Sequence, residues 1–430
     1  MPPSNSLYSV YSSAAVQAQA AMIMQRCEQM RQYSETPGQL SRRFLSAPMQ
    51  AVHRDLQSWM QAAGMQVHSD AAGNICGRYP NAQGNLRPRL LLGSHVDTVL
   101  NAGSYDGMLG VLLALAAVTL CHEAGRRFPF ALELIAFSEE EGVRYSLPFL
   151  GSRAVVGTFD MAALALRDAD GLSMAECIRA FGQDPEAIPA IAADYAPEDI
   201  LGYVEFHLEQ GLHLQQAGKA LGVVRAIAGQ QRARLRFQGR AGHAGTVPMG
   251  QRQDALCAAA AWLLEAEAYA SDHTDMVATV GQLELKPGAI NVIPGEVQLS
   301  LDLRHPNDAT RQQALEHLQQ RSEAIGQQRA VEVTWQPIGE QAAVAMDSQL
   351  SARIVAASQS LPQLAAVTQA GMVSGAGHDA MVLAPHLPSA LVFVRSPNGI
   401  SHHPEESVQV DDVCAALELC LALFEDLAAN

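Results

Sequence analysis

Apolar residues along the chain change their period from region to region, and the change predicts its elements. From Ala15 to Ala63 they recur at helical spacing, interrupted near Pro37 and Gly38. Leu90 to Leu92 predicts a short buried strand, Gly107 to Ala124 a nearly all-apolar helix, and Phe130 to Phe137 (FALELIAF) a second strand. Strands written as continuous apolar runs and separated by a helix predict a covered, partly parallel sheet. Such sheets place their sites at the carboxyl ends of strands. SHVD (94–97) and SEEEG (138–142) fall there.

Near residue 222 the period becomes two. Arg232 to Phe237 (RARLRF) alternates polar and apolar, and Val297, Leu299, Leu301 and Leu303 do so again. Between and after them come a helix over Gln253 to Ala270, a strand over Met276 to Leu285, a helix capped by Asp308 and a strand over Ala330 to Trp335. That βαββαβ order predicts an inserted ferredoxin-like α+β domain whose sheet has one face open. From about Asp347 helices and an apolar strand (Ala390 to Val394) resume. The expected fold class is α/β, a mixed, mostly parallel sheet flanked by helices. The first domain is discontinuous, 1–221 and 340–430, and the insertion spans 222–339.

Composition narrows the chemistry. A length of 430 residues favours two domains, and 48% hydrophobic residues supply ample core. A net charge of −16 argues against nucleic acid or an anionic membrane as partner. Only Lys219 and Lys286 are lysines, which leaves few candidates for a Schiff base. Seven scattered cysteines without a CxxC read as reduced core thiols. Residues 1–24 have no basic leader, and the longest apolar run, Met108 to Leu120, is too short to span a bilayer. The expectation is a cytoplasmic protein.

Four motifs share a chemical theme: His95-Val-Asp97 with Asp106-Gly107, Glu139-Glu140-Glu141-Gly142, His207-Leu-Glu209-Gln210-Gly211, and Gly399-Ile-Ser-His402-His403-Pro404. Imidazole and carboxylate together suit zinc, manganese or cobalt. Two ions held by so few ligands would share a carboxylate, and such a pair can clamp a carbonyl oxygen and activate water. Each motif alone has a bland reading. A single histidine is more often a core or surface residue than a ligand, an EEE triplet is usually a solvated turn, and His207 could lie on an amphipathic helix. Three glutamates directly after the apolar LIAF, however, mark a strand end that opens onto a polar cleft. Jointly the motifs disfavour the bland readings.

These motifs resemble those of the di-metal amidohydrolases related to aminoacylase and carboxypeptidase G, in the branch of allantoate amidohydrolases and N-carbamoyl-L-amino acid hydrolases. The resemblance runs from about residue 50 to 415 and includes GHAGTVPM (242–249), NVIPGEV (291–297), DLRHP (302–306) and SGAGHDAM (374–381). It implies two divalent ions per subunit, Zn²⁺ or Mn²⁺, with Co²⁺ or Ni²⁺ as possible substitutes. His95 and His207 resemble the ligands of one ion, Glu141 and His402 those of the other, and Asp106 the bridge. Asp97 resembles the acid that fixes the tautomer of His95. Glu140 resembles the general base that takes a proton from the attacking water. Glu139 is aligned as a bystander, and His403 is an alternative to His402. In the insertion His243 resembles the residue that stabilises the tetrahedral oxyanion, and Asn291 and Arg304 the groups that hold a substrate carboxylate. Without the resemblance Arg304 would read as a surface arginine ending a strand. Gln210 is expected at the ureido group and Gly375 to His378, with Gly375 and Ala376 foremost, on the pocket wall, while His378 and Asp379 are equally well structural.

The resemblance implies hydrolysis of a linear ureido (carbamoyl) amide with release of ammonia and carbon dioxide. GVRYSLPFLGSRAVVG (142–157) resembles the allantoate-hydrolysing members more closely, so allantoate is preferred over N-carbamoyl-L-amino acids and N-carbamoyl-β-alanine. The implied partners are a small carboxylate-bearing ureido substrate and a second copy of the chain, a homodimer in which His243 serves the partner's site. Two readings of other classes remain. Gly371-Met-Val-Ser374-Gly375 hints at a serine nucleophile, but its spacing is not that of a nucleophile elbow. A binding protein without catalysis could keep the fold but would tolerate loss of the ligand set, which here is complete.

Overall fold

The apolar run after Asp106 forms the helix Met108–Glu123, buried at nearly every position in the computed structural model, which describes residues 10–429. The first nine residues, part of the 1–24 segment discussed above, lie outside the described residues. A helix that is apolar all round must be covered on all sides. It packs on the strands Arg89–His95 and Ile200–Leu208 and against the helices Ser13–Arg31 and Val410–Ala429. Among the described residues no helix is long and apolar enough to cross a membrane. The seven cysteines are unpaired thiols; five are buried, whereas Cys257 is exposed and therefore not a core residue.

The chain divides into two compact units. The first contains the described residues up to Arg225 together with Met346–Met372 and the chain from Gly377 onward. The centre of its sheet is four parallel strands in the order Ala131–Phe137, Arg89–His95, Ile200–Leu208 and Ser389–Val394. Antiparallel neighbours flank them: Ile75–Tyr79 and Gln66–Ser69 on one side, Leu221–Ile227 on the other. The result is a mixed α/β sheet with a parallel centre. Every residue of Arg89–His95 and of Ala131–Phe137 is buried, as strands covered on both faces require. Parallel register pairs His95 with Phe137 and Phe393 with His207. The segments that leave these strands therefore emerge at one end of the sheet.

The second unit comprises Ala226–Ala345 and Val373–Ala376. Its antiparallel sheet runs Leu283–Lys286, Glu296–His305, Gly229–Gln238, Glu332–Gln341, with Val277–Thr279 also paired to Glu296–His305. Burial alternates at every residue along Glu296–His305. The helices Ala255–Ser271 and Asp308–Arg329 cover the apolar side, where Trp262 is buried and its Nε1 donates to the Leu318 carbonyl at 2.9 Å. The order is that of a ferredoxin-like unit.

Several details depart from the periodicity. The strand expected over Met276 to Leu285 is two, separated at residues 280–282. Asn307, not Asp308, caps its helix, accepting from Thr310 N at 2.9 Å. Asp308 instead accepts from Ala343 N and pairs with Arg311. The units divide at residues 225–226 and 345–346 rather than at 221–222 and 339–340, and Gly375 and Ala376 belong with the second.

Candidate metal centre

His95 and His207 end up side by side because both sit at the carboxyl ends of adjacent parallel strands. Each ring is fixed by the main chain: Nδ1 of His95 donates to the Asp97 carbonyl at 3.1 Å, and Nδ1 of His207 to the Leu208 carbonyl at 3.0 Å. A carbonyl oxygen only accepts, so each Nδ1 carries a proton, and in the neutral ring Nε2 then presents a lone pair. The two Nε2 atoms lie 3.4 Å apart. Facing lone pairs repel unless a cation, whether proton or metal ion, lies between them. Burial pushes His207 down to about 4, whereas at His95 burial is outweighed by Asp97, Glu140 and Asp106, which hold it well above its ordinary value.

Asp106 faces both sides of the cluster. Its Oδ1 lies 3.3 Å from His207 Nε2 and its Oδ2 3.1 Å from His402 Nε2. His402 Nε2 is also 3.6 Å from Glu141 Oε1. Donor atoms of His95, Asp106 and His207 fall within 4.8 Å of one another, and so do those of Asp106, Glu141 and His402 and of His95, Glu140 and Glu141. Asp106 is common to the first two groups, one oxygen toward each. The following residue makes this possible: Gly107 has φ +65°, and a Cβ there would lie 2.5 Å from His95 Nε2. Any side chain at 107 would fill the space in which the donors converge.

The three consecutive glutamates have different surroundings. Glu139 is fully buried, and burial and then Asp97 push its carboxyl well above the ordinary value. The main-chain N–H groups of Glu140 and Glu141 donate to Asp97 Oδ1 and Oδ2 at 2.9 and 3.1 Å. Asp97 thus holds the glutamate loop, while the tautomer of His95 is set as much by its carbonyl as by Oδ1, which lies 3.4 Å from Nδ1. Burial raises Glu140 well above its ordinary value, opposed by His95 and reinforced by Glu141, Asp379 and Asp97. Burial and Asp106 bring Glu141 to about 7.

Buried carboxylates outnumber the histidines here, and their oxygens converge with imidazole nitrogens. That donor set fits divalent cations. His402 points into the cluster, whereas His403 accepts from Glu405 N at 3.2 Å in its own turn. Gln210 joins the cluster as well; its Nε2 donates to Asp106 Oδ1 at 3.0 Å and to Ser401 Oγ at 3.1 Å. The rings of His378 and His207 are 4.4 Å apart, edge on, and Asp379 is fully buried.

The remaining expected site residues lie in the second unit. His243 is exposed on the ribbon formed by Gly242–His243 and Val292–Ile293, its Nδ1 accepting from Gly245 N at 3.0 Å. The carbonyl of the exposed Asn291 accepts from Ala244 N. Arg304 is already engaged: Nε and Nη2 donate to Asp302 Oδ1 and Oδ2 at 2.8 and 3.0 Å, and Nη1 to the Gly375 carbonyl at 2.5 Å. Ser374 Oγ is buried and donates to the Ala376 carbonyl. Sequence reasoning missed Glu205, which accepts from Ser94 Oγ and Ala380 N behind the histidines, and Glu406 and Ser401 beside Asp106. The second glutamate of HHPEE was the available signal for Glu406, though nothing in the text distinguishes it from the exposed Glu405.

Comparison with known proteins points the same way. The profile of peptidase family M20/M25/M40 matches residues 91–426. Allantoate deiminase 1 of Glycine max is 36% identical, with 94% of this chain and 88% of that one covered. N-carbamoyl-L-amino acid amidohydrolase of Geobacillus stearothermophilus is 37% identical over 93% of this chain and 97% of its own. Among solved structures, an amidase of the hydantoinase/carbamoylase family from Burkholderia multivorans superposes with a TM-score of 0.87 at 28% identity, covering 96% of this chain and 98% of the other.

Proposed function

The chain belongs to peptidase family M20/M25/M40, and from that premise we propose that it hydrolyses the ureido amide bond of a small carboxylate-bearing substrate. Allantoate is the preferred substrate, with N-carbamoyl-L-amino acids and N-carbamoyl-β-alanine as alternatives. The observation that carries the reading is Asp106, a buried carboxylate with one oxygen toward His207 and the other toward His402. The relatives named above, an allantoate deiminase and a carbamoyl amino acid amidohydrolase, support the substrate class.

On this reading His95, Asp106 and His207 would hold one divalent ion, and Asp106, Glu141 and His402 a second. Zn²⁺ and Mn²⁺ are the leading ions, with Co²⁺ or Ni²⁺ as substitutes. Ions bound there would supply Lewis-acid polarisation of the carbonyl and acidify a water. Glu140 takes the proton from the attacking water and delivers it to the departing nitrogen. Its burial and its acidic neighbours favour that role, since they raise its proton affinity well above that of an ordinary carboxylate. His243 donates to the oxyanion, from a partner subunit in a homodimer. Arg304 and Asn291 hold the substrate carboxylate, Arg304 through the N–H groups left over by Asp302 and Gly375, while Gln210, Gly375 and Ala376 contact the rest of the substrate.

The serine-hydrolase reading fares worse, because Ser374 Oγ is buried and turned into a local turn with Ala376. The deciding experiment is ammonia release from allantoate, N-carbamoyl amino acids and N-carbamoyl-β-alanine, before and after chelation and again after adding back Zn²⁺ or Mn²⁺. Turnover of none of these substrates by the metal-loaded protein, or turnover indifferent to chelation, would refute the proposal.

A further inference from the structure

The loop that carries His402 is the least enclosed part of the centre. Half of the His402 side chain (50%) is exposed and its backbone is left-handed (φ +55°), whereas Asp106 is buried. Glu406 joins the two. It is only 5% exposed, and its Oε1 accepts from the main-chain N–H of Tyr105 at 2.8 Å and of Asp106 at 3.0 Å. Its Oε2 accepts from Ser401 Oγ at 3.1 Å. Ser401 in turn accepts from Gln210 Nε2, which also donates to Asp106 Oδ1. These contacts close a ring through Asp106, Glu406, Ser401 and Gln210. The approach is tight: a Cβ on Gly103 would lie 2.3 Å from Glu406 Cβ and 2.5 Å from its Oε1. The loop leading to Asp106 can lie on Glu406 only because residue 103 has no side chain.

We propose that Glu406 is a positioning residue whose carboxylate staples the His402 loop to the Asp106 loop and so holds the ligand group of Asp106, Glu141 and His402 together. The inference rests on reading the centre as a metal site. A carboxylate suits the task because it only accepts, and takes two N–H groups and a hydroxyl at once. Glutamine could keep both N–H bonds through its carbonyl oxygen and turn its NH₂ toward Ser401 Oγ, which can accept. Alanine keeps none of the three.

The test strips wild type, Glu406→Ala, Glu406→Gln, Glu406→Met and Ser401→Ala with chelator, titrates each with Zn²⁺, and reads stoichiometry by elemental analysis and affinity by calorimetry. Circular dichroism establishes that each is folded. Wild type is expected to bind two ions per chain. Glu406→Ala should retain the ion held by His95, Asp106 and His207 and bind the other about 10–100-fold more weakly, the range for disturbed partners of ligands. Glu406→Gln, which keeps a carbonyl acceptor, should recover most of that loss, whereas Glu406→Met, which fills similar space without the acceptor oxygens, should not. A folded Glu406→Ala that binds both ions with unchanged affinity overturns the staple, and so does equal weakening of both. Should Glu406→Ala not fold, Ser401→Ala decides: a several-fold loss at one ion supports the staple, and unchanged binding overturns it. Wild type that binds no Zn²⁺ would instead sink the metal-site reading, a result visible without any variant.

Discussion

Asp97→Asn tests how the centre is held. In the folded chain both Asp97 oxygens accept, one from Glu140 N at 2.9 Å and one from Glu141 N at 3.1 Å. Asparagine keeps one oxygen and turns an NH₂ group toward the other N–H. One bond to a charged acceptor is lost, and one buried donor is left facing another donor. Hydrogen bonds to charged groups contribute about 1.5–3 kcal/mol and an orphaned buried donor costs about 1–3 kcal/mol, so a loss of about 2.5–6 kcal/mol is expected. At roughly 2–4 °C per kcal/mol for a large domain, the melting temperature should fall by at least about 5 °C. Metal affinity should drop by about 10–100-fold as Glu141 loses its anchor. The tautomer of His95 should survive, because the Asp97 main-chain carbonyl still accepts from Nδ1. Calorimetry, metal titration and imidazole ¹⁵N shifts read the three effects separately. Unchanged melting and metal affinity would refute the claim that Asp97 anchors the glutamate loop. A tautomer switch would return the role of Asp97 to orienting His95.

Glu140→Gln should retain the bound metal by elemental analysis yet lose about 10²–10⁴-fold in kcat, since only proton transfer is removed; loss of metal would make Glu140 a ligand instead. Arg304→Lys keeps the charge but not the fork, so kcat/KM should fall with the metal content intact, and the variant should discriminate less between the substrate and its carboxamide analogue; unchanged discrimination would remove Arg304 from the pocket. Mixing inactive His243→Ala with inactive Glu140→Gln under subunit exchange should restore part of the activity, because one site of a mixed dimer then has both groups intact; verified exchange without recovery would refute action in trans. His53 is buried with its ring edge against Phe181, and burial lowers it to about 4. Its folded value lies below the unfolded one, so its contribution is complete above about pH 6.5 and is lost as the pH falls through that value toward 4, by up to about 3 kcal/mol. The stability gap between wild type and His53→Leu should shift in favour of the variant from about pH 7 to about pH 5, and a gap that does not move with pH would contradict it.

Most of the architecture was legible because apolar period and fold agree. The all-apolar run after Asp106 could only be a covered helix, and the abrupt change from LIAF to SEEEG marked a strand end. The strand Ile200–Leu208 was not legible, since Glu205 and His207 interrupt its apolar text. Both charged groups are buried there because polar partners meet them: Ser94 and Ala380 for Glu205, the Leu208 carbonyl and Asp106 for His207. The pairing of Arg304 with Asp302 could have been read from DLR, because residues two apart on a strand share a face. Glu406 could not, because its main-chain partners at Tyr105 and Asp106 lie about 300 residues away in sequence.

The field inside the centre singles out one acid. Burial raises Glu140, Glu141, Glu205 and Glu406, the last three to about 7; acidic neighbours add to it at Glu140, Glu141 and Glu406, whereas at Glu205 the bonds from Ala380 N and Ser94 and the nearby His95 only partly oppose it. Asp106 is just as buried, yet the hydrogen bond with His402 and the neighbouring imidazoles of His207 and His95 outweigh burial and hold it below the ordinary aspartate value. Among these acids, Asp106 is therefore the one whose surroundings favour the anion most strongly. A carboxylate shared between two cations must keep its charge while its neighbours compete for protons, and must present its oxygens in opposite directions. The imidazoles on either side supply the first condition. Gly107, by leaving the space beside His95 open, leaves room for the second.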